Sequence, residues 1–444
     1  MKLWQKDKSS KIEVEKFTIG QDPDFDLLLA PYDVLGSLAH AIMLENIGLL
    51  TGEELSVLKK GLHEIYHEIR QDKFTIDPGV EDVHSQVEFL LTKRFGDIGK
   101  KLHSGRSRND QVLVDLKLFY RAEIQLVLVK IKELFDLLIV LAQQHKNELM
   151  PGYTHTQLAM PSSFGLWFGS IAESLSEDID LWWAAFNLVN RNPLGSAAGY
   201  GSSFPLNRTL TTRLLGFKEM HYNVINAQNS RGKTEKFLSF AMAGVAGTLN
   251  KLSADIVVFM NQHFGFISFP DELTTGSSIM PHKKNPDVFE LMRAKTNQIQ
   301  STPQNIILQL TNMTTGYHRD LQVLKESVFP DLEKLKDCLQ MCTYMLKHIK
   351  VKPQLLEDKS FKHLFSVEEV NRLVLEGIPF RDAYKKVGLD IERDEFNPSH
   401  SIHHTHEGSI GQLCLNEIQT KMDRAMSQFD FDQIDKDLKM LLDS

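Results

Sequence analysis

From Val112 to His145 the chain reads VLVDLKLFYRAEIQLVLVKIKELFDLLIVLAQQH, with neither glycine nor proline. Its apolar residues recur at helical spacing but do not stay on one stripe: Leu116, Leu118, Phe119, Leu126, Val127, Leu128, Val129, Ile131, Leu134 and Phe135 cover several faces. At ~1.5 Å rise per residue the pattern predicts a helix roughly 50 Å long. Ser162 to Asn190, with Trp167, Phe168, Trp182, Trp183 and Phe186, and Glu235 to Phe264, with Phe237, Phe240, Val245, Leu249 and Ile256, repeat it. A helix apolar nearly all round must be covered on several sides. Three of them predict an all-α bundle whose outer faces pack against other copies of the chain. Ala241, Ala243, Gly244, Ala246 and Gly247 would let a neighbouring helix come close to the last of the three.

Strand signals are nearly absent elsewhere. Residues 1 to about 107 alternate short helical patterns with turns such as Thr51-Gly52 and Asp77-Pro78-Gly79. From about 358 onward the reading SVEEVNRLVLEGIPFRDAYKKVG is helix-turn-helix. With 444 residues the chain exceeds the ~250 to 300 at which one core stops growing. Three helical domains are therefore expected: 1–107, a central long-helix bundle at 108–357, and a small domain at 358–444.

Charge and cysteine content narrow the class. Lys and Arg number 50 against 58 Asp and Glu, a net charge of −8 that argues against a nucleic-acid partner but leaves room for a small anion in a local basic pocket. Cys338, Cys342 and Cys414 are the three cysteines, with no C-x-x-C, so a reducing compartment is expected and Cys338 and Cys342 are read as core residues. The N-terminus MKLWQKDKSSK shows no signal peptide, and the densest apolar run, LFDLLIVLA, is far short of the ~18 residues of a membrane span. The expectation is a cytoplasmic protein without a membrane segment.

Four polar islands interrupt the bundle. TTGSSIMPHKKNPD (Thr274 to Asp287) has the residues of an ordinary turn, yet it runs into a helix with Asn285 as expected N-cap, Pro286 at N1 and Asp287 at N2. Free N–H groups at that helix end, beside Lys283 and Lys284, suit a carboxylate or phosphate. The same surroundings would stabilise an alkoxide at Ser277 or Ser278, and Gly276 would let the loop close. LHSGRSRNDQV (Leu102 to Val112) sets Arg106, Arg108, Asn109 and Asp110 at the start of the longest helix; it reads either as anion recognition or as a charged turn capped by Asn109 or Asp110. PGYTHTQLAMP (Pro151 to Pro161) holds Thr154, His155, Thr156 and Gln157 between two prolines, with His155 a candidate acid or base. In TGYHRDLQVLKE (Thr315 to Glu326), Tyr317, Gln322 and Lys325 face either a ligand or solvent.

Two further signals carry less. LGSAAGYGSSFP is glycine-rich but follows no strand and does not fit G-x-G-x-x-G. His403, His404 and His406 lack the spacing of a metal site and read as a surface or ligand-adjacent loop.

Taken together the islands resemble the fumarase/aspartase superfamily. GSSIMPHKKNPD matches its signature G-S-x-x-M-x-x-K-x-N, a highly specific pattern. SGRSRNDQV and the Y-x-x-D-L-Q-x-x-K-E pattern of Tyr317 to Glu326 are similar to argininosuccinate lyases within it, as is SVEEVNRLVLEGIPFRDAYKKVG, and the likeness spans the chain. The resemblance implies a homotetramer with sites assembled from three subunits, and cleavage of argininosuccinate to arginine and fumarate. It implies Ser277 as the base, His155 as its acid partner, Glu290 polarising His155, and Lys283 and Asn285 on the reacting carboxylate. Arg108, Asn109, Thr154, Tyr317, Gln322 and Lys325 would hold the rest of the substrate, with His84 in the surviving D-x-H-x-x-x-E motif of Asp82, His84 and Glu88. No metal or organic cofactor is implied. Leu29, three positions before Tyr32-Asp33, and Val87 depart from the polar residues found in many relatives. Two other readings stand beside this one: adenylosuccinate cleavage, because His282 in PHKKNP is common there, and a catalytically silent crystallin-like role.

Overall fold

The computed structural model describes residues 14, 17, 18, 20 and 22–444. Three helices open it: α1 (Asp22–Asn46), α2 (Gly52–Arg70) and α3 (Val83–Phe95). Thr51 and Glu54 form a capping box at the start of α2, each side chain satisfying the other's orphan N–H. Asp82 caps α3, its Oδ1 accepting from the Ser85 N–H at 2.8 Å. Leu58, Leu62 and Ile65 of α2 and Val83, Val87 and Leu91 of α3 close over Val34, Leu38 and Ala39 of α1 in a core of their own.

The bundle follows. α4 (Arg108–Gln144) leads through a hairpin, β1 (Leu149–Thr154) and β2 (Gln157–Ser163), into α5 (Phe164–Val189), then α6 (Lys233–Phe259), α7 (Asp287–Gln309) and α8 (Leu324–Leu346). α6 packs along both α5 and α7, and α4 along α5 and α8. One continuous core results, with Ile131, Phe135, Phe168, Trp182, Leu249 and Leu335 buried in it; truncating a residue such as Trp182 to alanine would cost ~3–5 kcal/mol. The small residues of α6 serve as expected, for a Cβ on Gly244 would fall 3.0 Å from Asp178 Oδ1 of α5.

Beyond the bundle, α9 (Ser366–Leu375) and α10 (Phe380–Glu392) enclose a small core of Val370, Leu373, Ala383 and Val387. α11 (Leu415–Met426) then returns to pack on α5, and α12 (Phe431–Asp443) on α1. His404 of the histidine-rich tract pairs with Glu368 of α9 at 2.8 Å, and His403 with Ser401.

Several expectations need correction. α4 starts at Arg108 rather than Val112, because Ser107 caps it with Asp110 in a capping box; neither Asn109 nor Asp110 is the cap. Asn285 is not an N-cap either. Its N–H donates to the Thr275 carbonyl at 2.8 Å and its side-chain amide to Thr275 Oγ1 at 3.2 Å, so it zips the loop shut while α7 begins at Asp287. The segment Leu149–Ser163 is an antiparallel hairpin, hidden in the sequence because Pro151, Gly152 and Pro161 break any strand pattern. Two stretches, Asp22–Asn46 and Val224–Phe259, are long and apolar enough to cross a membrane by length and composition, although no single run in the sequence suggested it. α1 buries the charged Asp26 and Asp33 within the protein, as a core helix does.

Candidate active site

Four segments far apart in the chain line a cavity of about 470 Å³. α1 contributes Asp22 and Asp26, one turn apart on a single face. The approach to α3 contributes Glu81, Asp82 and His84; the first turn of α4 contributes Arg108 and Asn109; and the segment before and into α8 contributes Tyr317, Arg319, Gln322 and Lys325. Arg231 completes the wall, its Nη2 donating to the Leu321 carbonyl at 3.0 Å and so bracing the turn that carries Gln322.

The cap of α4 explains why Arg108 stands where it does. Asp110 is fully buried, and its carboxylate accepts N–H groups from Ser107 at 2.8 Å, Gly195 at 2.9 Å and Ala197 at 2.8 Å. The glycine-rich LGSAAGYG segment is thus a structural partner of the helix start, with Gly195 at φ +83° supplying the left-handed turn. Burial raises the Asp110 carboxyl to about 6 against the pull of those three N–H donors. Arg108, fixed in the first turn, reaches Glu81 at 3.0 Å, Asp82 at 2.9 Å and Ser85 Oγ at 3.2 Å.

Lys325 is buried, and its ammonium lies 2.5 Å from Asp22 and 2.7 Å from Asp26. Burial raises the Asp22 carboxyl even with that ammonium beside it. Two histidines on the wall are driven apart. Burial, reinforced by Arg106 and Arg108, lowers His103 to about 4, leaving it neutral. Burial also opposes charge on His84, but the Asp33 hydrogen bond and the charges of Asp33, Asp115 and Asp82 outweigh it and push the imidazole up to about 9. Fixed acids and fixed bases interleaved in one cavity suit a ligand that itself bears both signs.

Six of the twelve residues singled out in the sequence meet here: His84, Arg108, Asn109, Tyr317, Gln322 and Lys325. The other six do not line this cavity. Thr154 and His155 sit at the exposed tip of the β1–β2 hairpin, where His155 (φ 53°) and Thr156 (φ 61°) both adopt the left-handed backbone of a tight two-residue turn. That conformation is strained for a β-branched threonine, and strain of this kind concentrates at functional sites. Ser277, Lys283 and Asn285 belong to the loop before α7, with Ser277 Oγ accepting the Met280 N–H at 3.2 Å, and Glu290 is exposed in the first turn of α7. Leu29 and Val87, the two departures, are both in hydrophobic cores and cannot touch a ligand in the cavity.

Helix length explains the separation. The Ser277 loop enters the N-terminal end of α7, whereas Tyr317, Gln322 and Lys325 follow its C-terminal end, ~34 Å away along the axis. Arg108 begins α4 and the hairpin follows its far end, ~55 Å along. Asp22, Asp26, Glu81, Arg231 and Arg319 were not found from the sequence. The available signal was the spacing of Asp22, Asp26 and Asp33, which puts three acids on one face of a mostly apolar helix.

A long-helix bundle with a mixed-charge cavity and a separate serine- and lysine-bearing loop defines a helical lyase, and residues 6–301 match the family model described as Lyase. Among solved structures, an EDDS lyase in complex with formate superposes with a TM-score of 0.73 at 21% identity, covering 98% of this chain and 93% of that one. The class II fumarase of Schistosoma mansoni superposes with a TM-score of 0.72 at 16% identity, covering 96% and 94%; at such identities the likeness is one of fold. The argininosuccinate lyase of Bacteroides fragilis is 58% identical over 441 residues, 99% of each chain. This chain belongs to the argininosuccinate lyases, carbon–nitrogen lyases of the fumarase/aspartase superfamily.

Proposed function

We propose that the protein cleaves argininosuccinate into arginine and fumarate in a cytoplasmic pathway of arginine biosynthesis, as a homotetramer whose sites each draw on several subunits. The observation that carries this reading is the splitting of one constellation over the ends of helices ~34 and ~55 Å long. Neighbouring copies packed antiparallel would bring a hairpin tip and a Ser277 loop to each Arg108–Lys325 cavity. Large apolar residues left exposed on the bundle helices, among them Leu126, Val129, Leu181, Phe240 and Leu308, support such packing. The working division into 1–107, 108–357 and 358–444 assigns assembly to the middle part.

In the reaction Ser277 Oγ, as base, takes a proton from the succinyl carbon next to the carboxylate that becomes dianionic. Lys283, Asn285 and the free N–H groups of α7 offset that charge where it develops. The electron pair then forms the C=C bond of fumarate as the C–N bond breaks, and His155, oriented by Glu290, supplies a proton to the departing guanidino nitrogen. Arg108, Asn109, Thr154, Tyr317, Gln322, Lys325 and His84 hold the remaining carboxylates and the arginine portion. The chemistry as written requires no metal and no organic cofactor.

The test is fumarate release, followed by ultraviolet absorbance, with argininosuccinate and adenylosuccinate offered separately. Turnover of argininosuccinate alone is expected. Turnover of adenylosuccinate alone overturns the substrate, and turnover of neither overturns the catalytic reading.

A further inference from the structure

His84 reaches the cavity wall with its support inside the protein. Its Nδ1 is 2.7 Å from Asp33 Oδ1 and 3.4 Å from Asp115 Oδ2, and both carboxyl groups are shut off from solvent; burial and the neighbouring Asp33 push the Asp115 carboxyl well above its ordinary range, so the hydrogen-bonded Asp33 is the principal support of the imidazolium. Asp33 comes from α1, Asp115 from α4 and His84 from α3, so the cluster joins three helices. Asp82 acts on the imidazole from the cap of α3, and the buried Arg106, whose Nη1 donates to Ser37 Oγ at 3.0 Å, adds a positive charge that acts on the two aspartates from the segment before α4. His103, kept neutral by burial with Arg106 and Arg108 beside it, adds no competing charge. Donor atoms of Asp33, His84 and Asp115 all lie within 4.8 Å of one another, and the 2.7 Å separation of His84 Nδ1 and Asp33 Oδ1 is that of a charge-assisted hydrogen bond. With Nδ1 committed to Asp33, Nε2 is the ring nitrogen left for the cavity.

We propose that Asp33 is a positioning residue: its hydrogen bond from Nδ1 holds His84 as an imidazolium and aims the Nε2–H at a carboxylate of the substrate. The charge state follows from the cluster alone; the ligand it serves rests on the lyase reading above. A neutral imidazole at the same place would offer either a bare nitrogen or an uncharged donor, and binding would then vary with pH in the working range.

The experiment is the pH dependence of KM for argininosuccinate in the intact oligomer. For the unaltered protein, KM stays level through neutrality and rises as pH passes through about 9; Glu or Lys titrations elsewhere are subtracted by His84→Gln, which abolishes that step. In Asp33→Asn the step moves down toward the ordinary histidine range near ~6.5, so KM approaches the unaltered value at acid pH and exceeds it roughly tenfold or more above neutrality. The double variant follows His84→Gln. A KM raised evenly at all pH in Asp33→Asn, or a pH step that survives in the double variant, overturns the proposal. Should Asp33→Asn fail to fold, the step in the unaltered protein decides alone: one near ~6.5, or one indifferent to His84→Gln, refutes it. Absence of any turnover refutes the lyase reading instead, and the same step is then sought in the binding of succinate by calorimetry.

Discussion

Replacing Lys325 with methionine keeps an unbranched apolar stem of nearly the same length and removes the ammonium that lies between Asp22 and Asp26. Asp26 is buried, and among the described residues its carboxylate has, besides Lys325, only the Val83 N–H, at 3.2 Å. Left alone, it either stays ionised at the cost of an uncompensated buried charge, ~3–5 kcal/mol, or takes up a proton. Protonation sets a ceiling, because holding a carboxylic acid neutral costs about 1.36 kcal/mol for each pH unit above its unfolded pKa of ~3.9. At pH 7 that ceiling is about 4 kcal/mol, and at pH 5 about 1.5 kcal/mol. Asp22, on the rim and partly exposed, adds less. The sign is definite: in Lys325→Met the folded state binds more protons than the unfolded one between these values, so the variant recovers stability relative to the unaltered protein as pH falls. Chemical denaturation of both proteins at pH 5, 6 and 7, at one fixed concentration so that assembly is held constant, measures it. A loss below about 1 kcal/mol at pH 7, or one that does not shrink toward pH 5, would refute the view that Asp26 depends on Lys325 for its charge.

Asp110→Ala should cost about 2 kcal/mol or more in the same assay, since it strands the buried Gly195 N–H and two part-buried ones and dissolves a capping box, and it should loosen Arg108 enough to raise KM. Thr156→Gly removes the penalty of a β-branched residue at φ 61° and should raise stability by up to about 1 kcal/mol while lowering kcat, because the hairpin tip then no longer fixes His155; a plain destabilisation contradicts the strain argument. Ser277→Ala and Arg108→Ala should each lose about 10²-fold or more in turnover, and oligomers reassembled from the two inactive variants should regain part of it, because some sites would draw an intact Ser277 and an intact Arg108 from different chains. Mixed oligomers as inactive as their parents would rule out sites shared between subunits.

What the sequence determined by itself was local and repetitive. The long helices were legible because apolar residues recurring over many turns, uninterrupted by glycine or proline, leave few other conformations, and the all-round pattern on α4 and α6 already asked for neighbours on several sides. The polar islands were legible for the opposite reason, as conspicuous polar stretches in such a bundle. Short-range geometry was less secure: the Leu149–Ser163 hairpin is held by pairing across a turn despite its prolines, and Asn285 had a better use in closing its own loop than in capping α7.

Only the tertiary structure decided which islands meet. Asp26 and Lys325 lie 299 residues apart in sequence, and their pairing depends on how α1 and α8 cross, a matter of packed surfaces that no local pattern encodes. For the same reason Leu29 and Val87, conspicuous as departures in a motif, turn out to be core residues, while Asp22, Asp26 and Arg231, inconspicuous in sequence, form the cavity wall. The charge on His84 is likewise a tertiary property. A histidine's own chemistry leaves it poised near neutrality; two buried carboxyl groups brought in by other helices, with Asp82 at the cap, tip it to the cation.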